Sequence, residues 1–200
     1  ITLKVNDQEI RVQKGLTILE VAKKMEIDIP TLCYFKYLNP QKGSNCRMCV
    51  VELKGAKKLV TACSTEASEG MVVFTHSERV IEARRTILQL TLSDHPLDCL
   101  TCQVAGDCKL QDYCYELDVK DSPFAGGMMN DLQMDTSNKF YDYDPSKCIL
   151  CGKCVRICSE LQCSFAIANE NRGFHTHVTT PFEAGLDTSK CVSCGSCVSY

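Results

Sequence analysis

The residues with the clearest chemistry are the 16 cysteines of this 200-residue chain, because thiolates bind metals and undergo redox reactions. At this density, cysteine indicates either a disulfide-stabilised secreted protein or a metal protein. The sequence begins ITLKVNDQEI, which alternates apolar and polar residues and lacks the features of a secretory signal. We therefore expect a metal-rich protein of a reducing, cytoplasmic compartment.

A duplicated cysteine run near the end of the sequence is the most specific pattern. The first run comprises Cys148, Cys151, Cys154 and Cys158, and the second comprises Cys191, Cys194 and Cys197. The spacing C-x2-C-x2-C-x3-C is typical of bacterial ferredoxins, in which the fourth cysteine binds the other cluster. We therefore expect Cys158 to complete the ligand set of the second run.

The fourth ligand of the first run would fall immediately after Tyr200. We therefore expect the sequence to be an N-terminal piece of a longer polypeptide. The alternative is that Cys163 or an outside group supplies this ligand. Zinc is the alternative metal, but a tetrahedral zinc site needs two separated cysteine pairs, and each triple run leaves one thiolate over. The duplicated run therefore predicts iron–sulfur clusters.

A second block places one histidine and three cysteines within fourteen residues. These are His95, Cys99, Cys102 and Cys108. Such a set can hold a four-iron cluster with imidazole on one iron, or a zinc ion bound by three thiolates and one imidazole. A structural histidine beside Pro96 is a third interpretation, and the spacing alone does not separate the three.

A third block carries Cys33, Cys46, Cys49 and Cys63. Four cysteines in a small unit of strands and one helix fit a [2Fe–2S] centre, although the first gap is longer than in plant-type ferredoxins. A redox-active dithiol at Cys46 and Cys49 is the rival, but it leaves the other two cysteines unexplained. The remaining cysteines, Cys114 and Cys163, are predicted to be buried packing residues.

Secondary structure around the first block is predicted from alternation and capping signals. Strands are expected at Ile1–Val5, Glu9–Val12, Val50–Leu53, Leu59–Ala62 and Val72–Phe74. Thr17 and Glu20 have capping-box spacing, and a helical face of Ile18, Val21, Ala22 and Met25 follows. This block is therefore predicted to form a small α+β unit built around one helix.

A second helix is predicted after a capping box of Thr75 and Glu78, with Val80, Ala83, Ile87 and Leu90 on its buried face. It should end near Pro96, and a further helix is expected at Leu110–Leu117. The polar segment Asp118–Ser146 has the composition of a linker.

Composition and motifs exclude several function classes. The net charge is −3 and no basic stripe is present, so we expect no nucleic-acid partner. No apolar run approaches the roughly 20 residues of a membrane span. No G-x-G-x-x-G loop, P-loop or nucleophile–base pair appears, so we expect no substrate active site within residues 1–200.

Three phrases carry a family resemblance: IPTLCY at 29–34, HPLDCLTC at 95–102 and KCILCGKCVRIC at 147–158. With the order of the three cysteine blocks, they resemble the N-terminal iron–sulfur region of NAD(P)-linked formate dehydrogenase alpha subunits and cytosolic [FeFe]-hydrogenases. That region is related to the large iron–sulfur subunit of respiratory complex I.

The resemblance implies one [2Fe–2S] and three [4Fe–4S] clusters, each with its own ligand set. The sets are Cys33, Cys46, Cys49 and Cys63 for [2Fe–2S]; His95, Cys99, Cys102 and Cys108; Cys148, Cys151 and Cys154; and Cys158, Cys191, Cys194 and Cys197. It also implies an α+β architecture of a β-grasp, plant-ferredoxin-like domain (1–75), a small helical domain that holds the histidine-ligated cluster (76–117), a linker (118–146) and a bacterial 2[4Fe–4S] ferredoxin-like domain (147–200).

The implied function is electron transfer between a flavin- and NAD(P)-binding subunit and a catalytic metal site after residue 200. A formate dehydrogenase, with a molybdenum or tungsten pterin, is the favoured expectation. The alternatives are an [FeFe]-hydrogenase with a di-iron site and a diaphorase or complex I-like subunit. A thioredoxin-like [2Fe–2S] subunit or a ferredoxin are further candidate partners. A zinc-stabilised interaction domain without redox activity is the alternative of another class.

Overall fold

The computed structural model describes residues 1–127 and 132–199, so part of the predicted linker lies outside the described residues. The chain forms two compact units. The first comprises Ile1–Leu88 and Cys108–Lys120, and the second comprises Gln89–Asp107 and Asp121–Tyr200. Residues 76–117, predicted as a domain of their own, thus contribute to both units.

A mixed five-stranded sheet forms the centre of the first unit. Its strands are β1 (Thr2–Val5), β2 (Gln8–Arg11), β3 (Val50–Leu53), β4 (Val60–Thr61) and β5 (Val72–Phe74), in the order β2-β1-β5-β3-β4. β1 and β5 are parallel, and the other neighbours are antiparallel. Leu3, Val5, Val51 and Val73 are buried in the core.

Helix α1 (Ile18–Lys24) packs its apolar residues into this core. The predicted capping box is confirmed: the Glu20 amide donates to Thr17 Oγ1 at 3.3 Å, and the Thr17 amide donates to Glu20 Oε2 at 2.7 Å. Both donors would otherwise lack a partner at the helix start. Ile18 and Val21 are fully buried, as the periodicity predicts.

Helix α2 (Glu78–Leu92) begins differently from the prediction. Thr75 does not cap it, because the Thr75 side chain and amide are hydrogen-bonded to Asn6 Oδ1 in the β1–β2 turn. Ser77 caps the helix instead: its Oγ accepts from the Val80 amide at 3.4 Å, and its carbonyl accepts from the Ile81 amide at 3.0 Å. A tertiary contact across the sheet thus overrides the local capping signal.

The buried face of α2 also differs from the prediction. Every fourth residue is buried, namely Val80, Arg84, Leu88 and Leu92, whereas Leu90 is 51% exposed. Arg84 turns inward because its Nη2 donates to the Val50 carbonyl at 3.0 Å. The buried face of α2 is therefore rotated relative to the face that hydrophobic periodicity predicts.

Helix α3 (Lys109–Glu116) is held to the first unit by side-chain hydrogen bonds. The Tyr113 hydroxyl accepts from the Thr31 amide at 3.1 Å, and Arg85 Nε donates to the Leu117 carbonyl at 3.0 Å. The predicted bounds of this helix agree with the structure to within one residue.

The second unit has little regular structure. It contains α4 (Lys153–Arg156), which continues into a π-helical turn at Ile157–Leu161, and the antiparallel strands β6 (Ala168–Glu170) and β7 (His177–Thr179). Short 3-10 turns lie at Pro145–Lys147, Gly173–His175 and Pro181–Glu183, and another at Pro40–Lys42 belongs to the first unit.

Described residues of the predicted linker form specific contacts within the second unit. The Leu186 amide donates to Ser137 Oγ at 2.9 Å and to Asp135 Oδ2 at 3.1 Å. Asn138 is buried, and its Nδ2 donates to Ser193 Oγ at 2.8 Å. These bonds tie the segment to the loop that carries the second cysteine run.

Among the described residues, no helix combines the length and the apolar character that crossing a membrane requires.

The capping box gives a stability prediction. Thr17→Ala removes the side-chain acceptor of the Glu20 amide, so we expect a loss of about 1 kcal/mol in the free energy of unfolding. Urea titration followed by circular dichroism measures it. Thr17→Ser keeps the hydroxyl and serves as the control; equal losses in both variants would mean that packing of the methyl group, not capping, stabilises this end.

Candidate metal centres

The four cysteines of the first set lie together in the first unit. The Cys33 and Cys46 side chains are hydrogen-bonded to each other, and so are those of Cys49 and Cys63. The two pairs are close enough for Cys33 and Cys63 to influence each other electrostatically. The structure thus gathers four thiols from three separate stretches of chain into one partly buried group.

The thiols within each pair differ in acidity. The hydrogen bond from Cys46 lowers the pKa of Cys33, and the same contact with burial raises the pKa of Cys46. Cys49 likewise lowers the pKa of Cys63, while its own pKa is raised. One sulfur of each pair is therefore stabilised as an anion, which is the form that binds metal.

Backbone amides reinforce this preference at Cys33. The amides of Ser44, Asn45 and Cys46 hydrogen-bond to its sulfur and lower its pKa. Their convergence depends on a loop in which Ser44 and Arg47 have left-handed backbone angles, with φ of 77° and 59°. Successive amides that converge in this way form an anion-binding concavity.

Arg84 brings a buried positive charge toward the same group. The residue is 2% exposed, and its Nε has no hydrogen-bond partner. Burial lowers the pKa of the guanidinium, whereas negative charge at Cys49 would raise it most, followed by that of Glu116 and Asp28. Within residues 1–127 and 132–199, no carboxylate forms an ion pair with Arg84. Negative charge on the sulfur group would therefore stabilise this guanidinium.

The second predicted set is distributed over both units. His95, Cys99 and Cys102 belong to the second unit, and Cys108 belongs to the first, where it precedes α3. His95 Nδ1 is buried without a hydrogen-bond partner, and burial lowers the pKa of the imidazole. The neutral imidazole thus keeps one nitrogen that no described protein group satisfies.

An ion pair joins the His95 segment to the first ferredoxin-type run. Lys147, immediately before Cys148, pairs with Asp98, immediately before Cys99. The contact lowers the pKa of Asp98 and raises that of Lys147. It brings two predicted cluster loops of the second unit side by side.

The two ferredoxin-type loops have the same backbone geometry. In the first run, Leu150 and Gly152 have φ of 51° and 72°; in the second run, Ser193 and Gly195 also have φ of 51° and 72°. The glycines adopt this conformation at no steric cost, whereas Leu150 and Ser193 are held there by the loop. The duplication is therefore structural as well as sequential.

The thiols of the runs form two groups. Burial and the thiolates of Cys151 and then Cys148 raise the pKa of Cys154 to about 12. In the other group, burial raises the pKa of Cys197 most, and Cys194, Cys191 and Cys158 raise it further. Cys158 therefore lies near the second run, an arrangement compatible with the predicted crossed ligation, which itself stays a prediction.

Two tyrosines that sequence reasoning missed contact these groups. Tyr141 Oη lies 3.2 Å from Cys191 Sγ. The Tyr143 hydroxyl is buried, and burial with the nearby Cys148 and Cys154 thiolates raises its pKa. The sequence feature that could have revealed both tyrosines is the Tyr-x-Tyr motif shortly before the first run, because alternate residues of an extended segment lie on the same side.

The two leftover cysteines differ from each other. Cys163 is exposed and has a left-handed backbone with φ of 53°, so its prediction as a buried packing residue is wrong. The turn that follows Cys158 carries its side chain outward. Cys114 is half-buried in α3.

Three families match successive parts of the chain. Residues 1–78 match a 2Fe-2S iron-sulfur cluster binding domain, residues 84–123 match the NADH-ubiquinone oxidoreductase-G iron-sulfur binding region, and residues 141–159 match a 4Fe-4S binding domain. The chain is thus a mixed α+β protein with 2Fe-2S and 4Fe-4S binding domains.

Curated relatives match nearly the whole chain. NADP-reducing hydrogenase subunit HndD of Solidesulfovibrio fructosivorans is 40% identical over 93% of the chain and 32% of its own length. NADPH-Fe(3+) oxidoreductase subunit alpha of Geobacter sulfurreducens is 37% identical over 90% and 21%. A G-type NADH-quinone oxidoreductase subunit of Rhizobium meliloti is 36% identical over 93% and 22%. The chain therefore spans a third or less of each relative.

A solved structure shares the architecture. A chain in the crystal structure of an NAD+-reducing [NiFe]-hydrogenase in the H2-reduced state superposes with a TM-score of 0.81 at 29% identity, over 94% of this chain and 78% of that one. With the family matches and the relatives, this likeness shows that the chain belongs to the family of iron–sulfur regions shared by G-type NADH-quinone oxidoreductase subunits and NADP-reducing hydrogenase subunits.

Proposed function

We propose that the chain is a four-cluster electron-transfer region of a multi-subunit NAD(P)-linked oxidoreductase. One [2Fe–2S] and three [4Fe–4S] clusters would be held by the ligand sets predicted from the sequence. When bound, such clusters accept and release single electrons, and the protein sets their potentials. The observation that carries the proposal is the gathering of the cysteines into thiol groups within loops of repeated geometry.

The first set fits a [2Fe–2S] cluster. Backbone amides donate to the sulfurs of Cys33, Cys46 and Cys49, and the buried guanidinium of Arg84 forms no ion pair with a carboxylate in the described chain. A cluster with four thiolate ligands carries net negative charge and supplies that partner. The order of the five strands, with one helix on the sheet, supports the β-grasp, plant-ferredoxin-like fold expected for this domain.

His95 fits an iron ligand. Its buried Nδ1 lacks a hydrogen-bond partner, and an unsatisfied buried polar atom is costly. A metal bond would satisfy it. Burial also favours the neutral imidazole, which is the form that binds metal.

Electrons would pass between a flavin- and NAD(P)-binding partner and a catalytic metal site outside these 200 residues. The relatives' names describe hydrogenase, NADPH-iron and NADH-quinone oxidoreductase subunits, so we place these branches ahead of formate dehydrogenase. A thioredoxin-like [2Fe–2S] subunit or a ferredoxin would be a further partner. We propose a cytoplasmic location because thiolate ligands need a reducing compartment.

The first prediction separates iron–sulfur from zinc binding. After anaerobic reconstitution, the chain should contain iron and acid-labile sulfide in equal amounts and show visible absorption that dithionite bleaches. Cys49→Ser should remove the [2Fe–2S] part of the EPR spectrum of the reduced protein, whereas Cys114→Ser should leave the spectrum unchanged. A colourless protein with stoichiometric zinc would contradict the proposal.

The second prediction concerns His95. Replacing a neutral imidazole by a thiolate adds one negative charge to the ligand shell, so His95→Cys should lower the midpoint potential of one [4Fe–4S] signal. An EPR-monitored redox titration measures it. His175→Cys makes the same change at an exposed histidine and should shift nothing; an unshifted potential in both variants would refute ligation by His95.

The third prediction concerns Tyr141. Its hydroxyl, 3.2 Å from Cys191 Sγ, can donate to sulfur and stabilise the more negative reduced state. Tyr141→Phe should therefore lower the potential of the cluster held by the second run. Tyr115→Phe, at a position that is 77% exposed, is the matched control. Identical titration curves for the wild type and Tyr141→Phe would show that this contact does not tune the cluster.

A further inference from the structure

A cluster of metal-binding residue types without cysteine lies between the two ferredoxin-type runs. Glu170, His177 and Glu183 each place one ligand atom within 4.8 Å of the others. Glu170 in β6 lies directly opposite His177 in β7 in the antiparallel register. Glu183, in the turn after β7, places Oε1 3.3 Å from His177 Nε2. One hairpin and its following turn thus supply all three groups.

The hydrogen bond made by His177 Nδ1 determines whether Nε2 of the same ring carries a proton or presents a lone pair. His177 Nδ1 lies 3.1 Å from the His175 carbonyl oxygen, which can only accept, so Nδ1 carries a proton. In the neutral ring, Nε2 then presents a lone pair to a carboxylate oxygen. Two acceptors 3.3 Å apart repel each other unless a cation lies between them. The site therefore requires either a second proton on the ring or a metal ion.

Burial strengthens this requirement. His177 is 8% exposed, so water cannot surround the imidazole and separate the charges. Glu183 is largely exposed, with 65% of its side chain accessible, which leaves an open path for an ion. A second carboxylate, Glu170, adds negative charge that one ring proton would not neutralise.

We propose that Glu170, His177 and Glu183 bind a divalent first-row transition-metal cation. Imidazole nitrogen and carboxylate oxygen are both ligands of such ions, and metal-bound histidine usually donates its other N–H to a carbonyl or carboxylate. Ligand atoms about 2.0–2.1 Å from a tetrahedral ion lie roughly 3.3 Å apart, which matches the Nε2–Oε1 distance. The site needs none of the cysteine ligand sets.

The bound ion would join the β6–β7 hairpin to the turn Pro181–Glu183. This segment connects Cys158 to Cys191, two residues predicted to bind the same cluster. A metal at this position would therefore shorten and stiffen the connection between the two ferredoxin-type loops. Its role would be structural, because it would hold the hairpin and the turn of this connection together.

The test uses Mn²⁺ as the probe and the full chain with its clusters reconstituted and oxidised. Mn²⁺ prefers oxygen and nitrogen ligands, so the cysteine thiolates compete poorly for it, whereas Zn²⁺ would bind them. Room-temperature EPR of free Mn²⁺ during titration gives the affinity and the stoichiometry. Glu183→Gln removes one ligand charge at an exposed position, and Asp121→Asn removes an exposed carboxylate elsewhere in the same unit.

We expect one saturable Mn²⁺ site in the wild type, about tenfold or more weaker in Glu183→Gln and unchanged in Asp121→Asn. Equal visible absorption of the three proteins confirms that each is folded and loaded. No saturable binding in the wild type would mean that a proton alone occupies the site. Binding that Glu183→Gln leaves intact would place the ion elsewhere. Either result overturns the proposal.

Discussion

Negatively charged sulfur in a protein interior must be surrounded by donors, and much of this structure follows from that constraint. At Cys33, three successive amides supply the donors, which requires left-handed backbone angles at Ser44 and Arg47. At Cys148 and Cys158, the amides of Leu150 and Ala166 donate at 3.4 and 3.3 Å. The loop conformations, which look irregular, are therefore set by the direction in which amides must point.

Local interactions were predictable from the sequence. The capping box of Thr17 and Glu20 involves residues three apart, and its spacing alone defines the start of α1. The cysteine spacings likewise define short loops, so the repeated backbone of the two ferredoxin-type runs follows from the repeated sequence. Such features depend on a few neighbouring residues, so the sequence predicts them directly.

Interactions between distant residues were not predictable in this way. Thr75 has the spacing of a helix cap, but its hydrogen bonds to Asn6 depend on the pairing of β1 with β5. The predicted face of α2 consisted of apolar residues only and left out Arg84, because no sequence rule signals a guanidinium that bonds a strand carbonyl. Polar composition made Asp135 and Ser137 resemble linker residues, although both accept from an amide about fifty residues away.

The buried arginine of α2 has a consequence for biogenesis. A guanidinium that is 2% exposed and forms no ion pair with a carboxylate in the described chain is stabilised by any negative group that forms beside it. If the first cysteine set holds a cluster as proposed, the newly made chain gains that negative group only when iron and sulfide arrive. Insertion of the cluster and the stability of the first unit would then be coupled through Arg84.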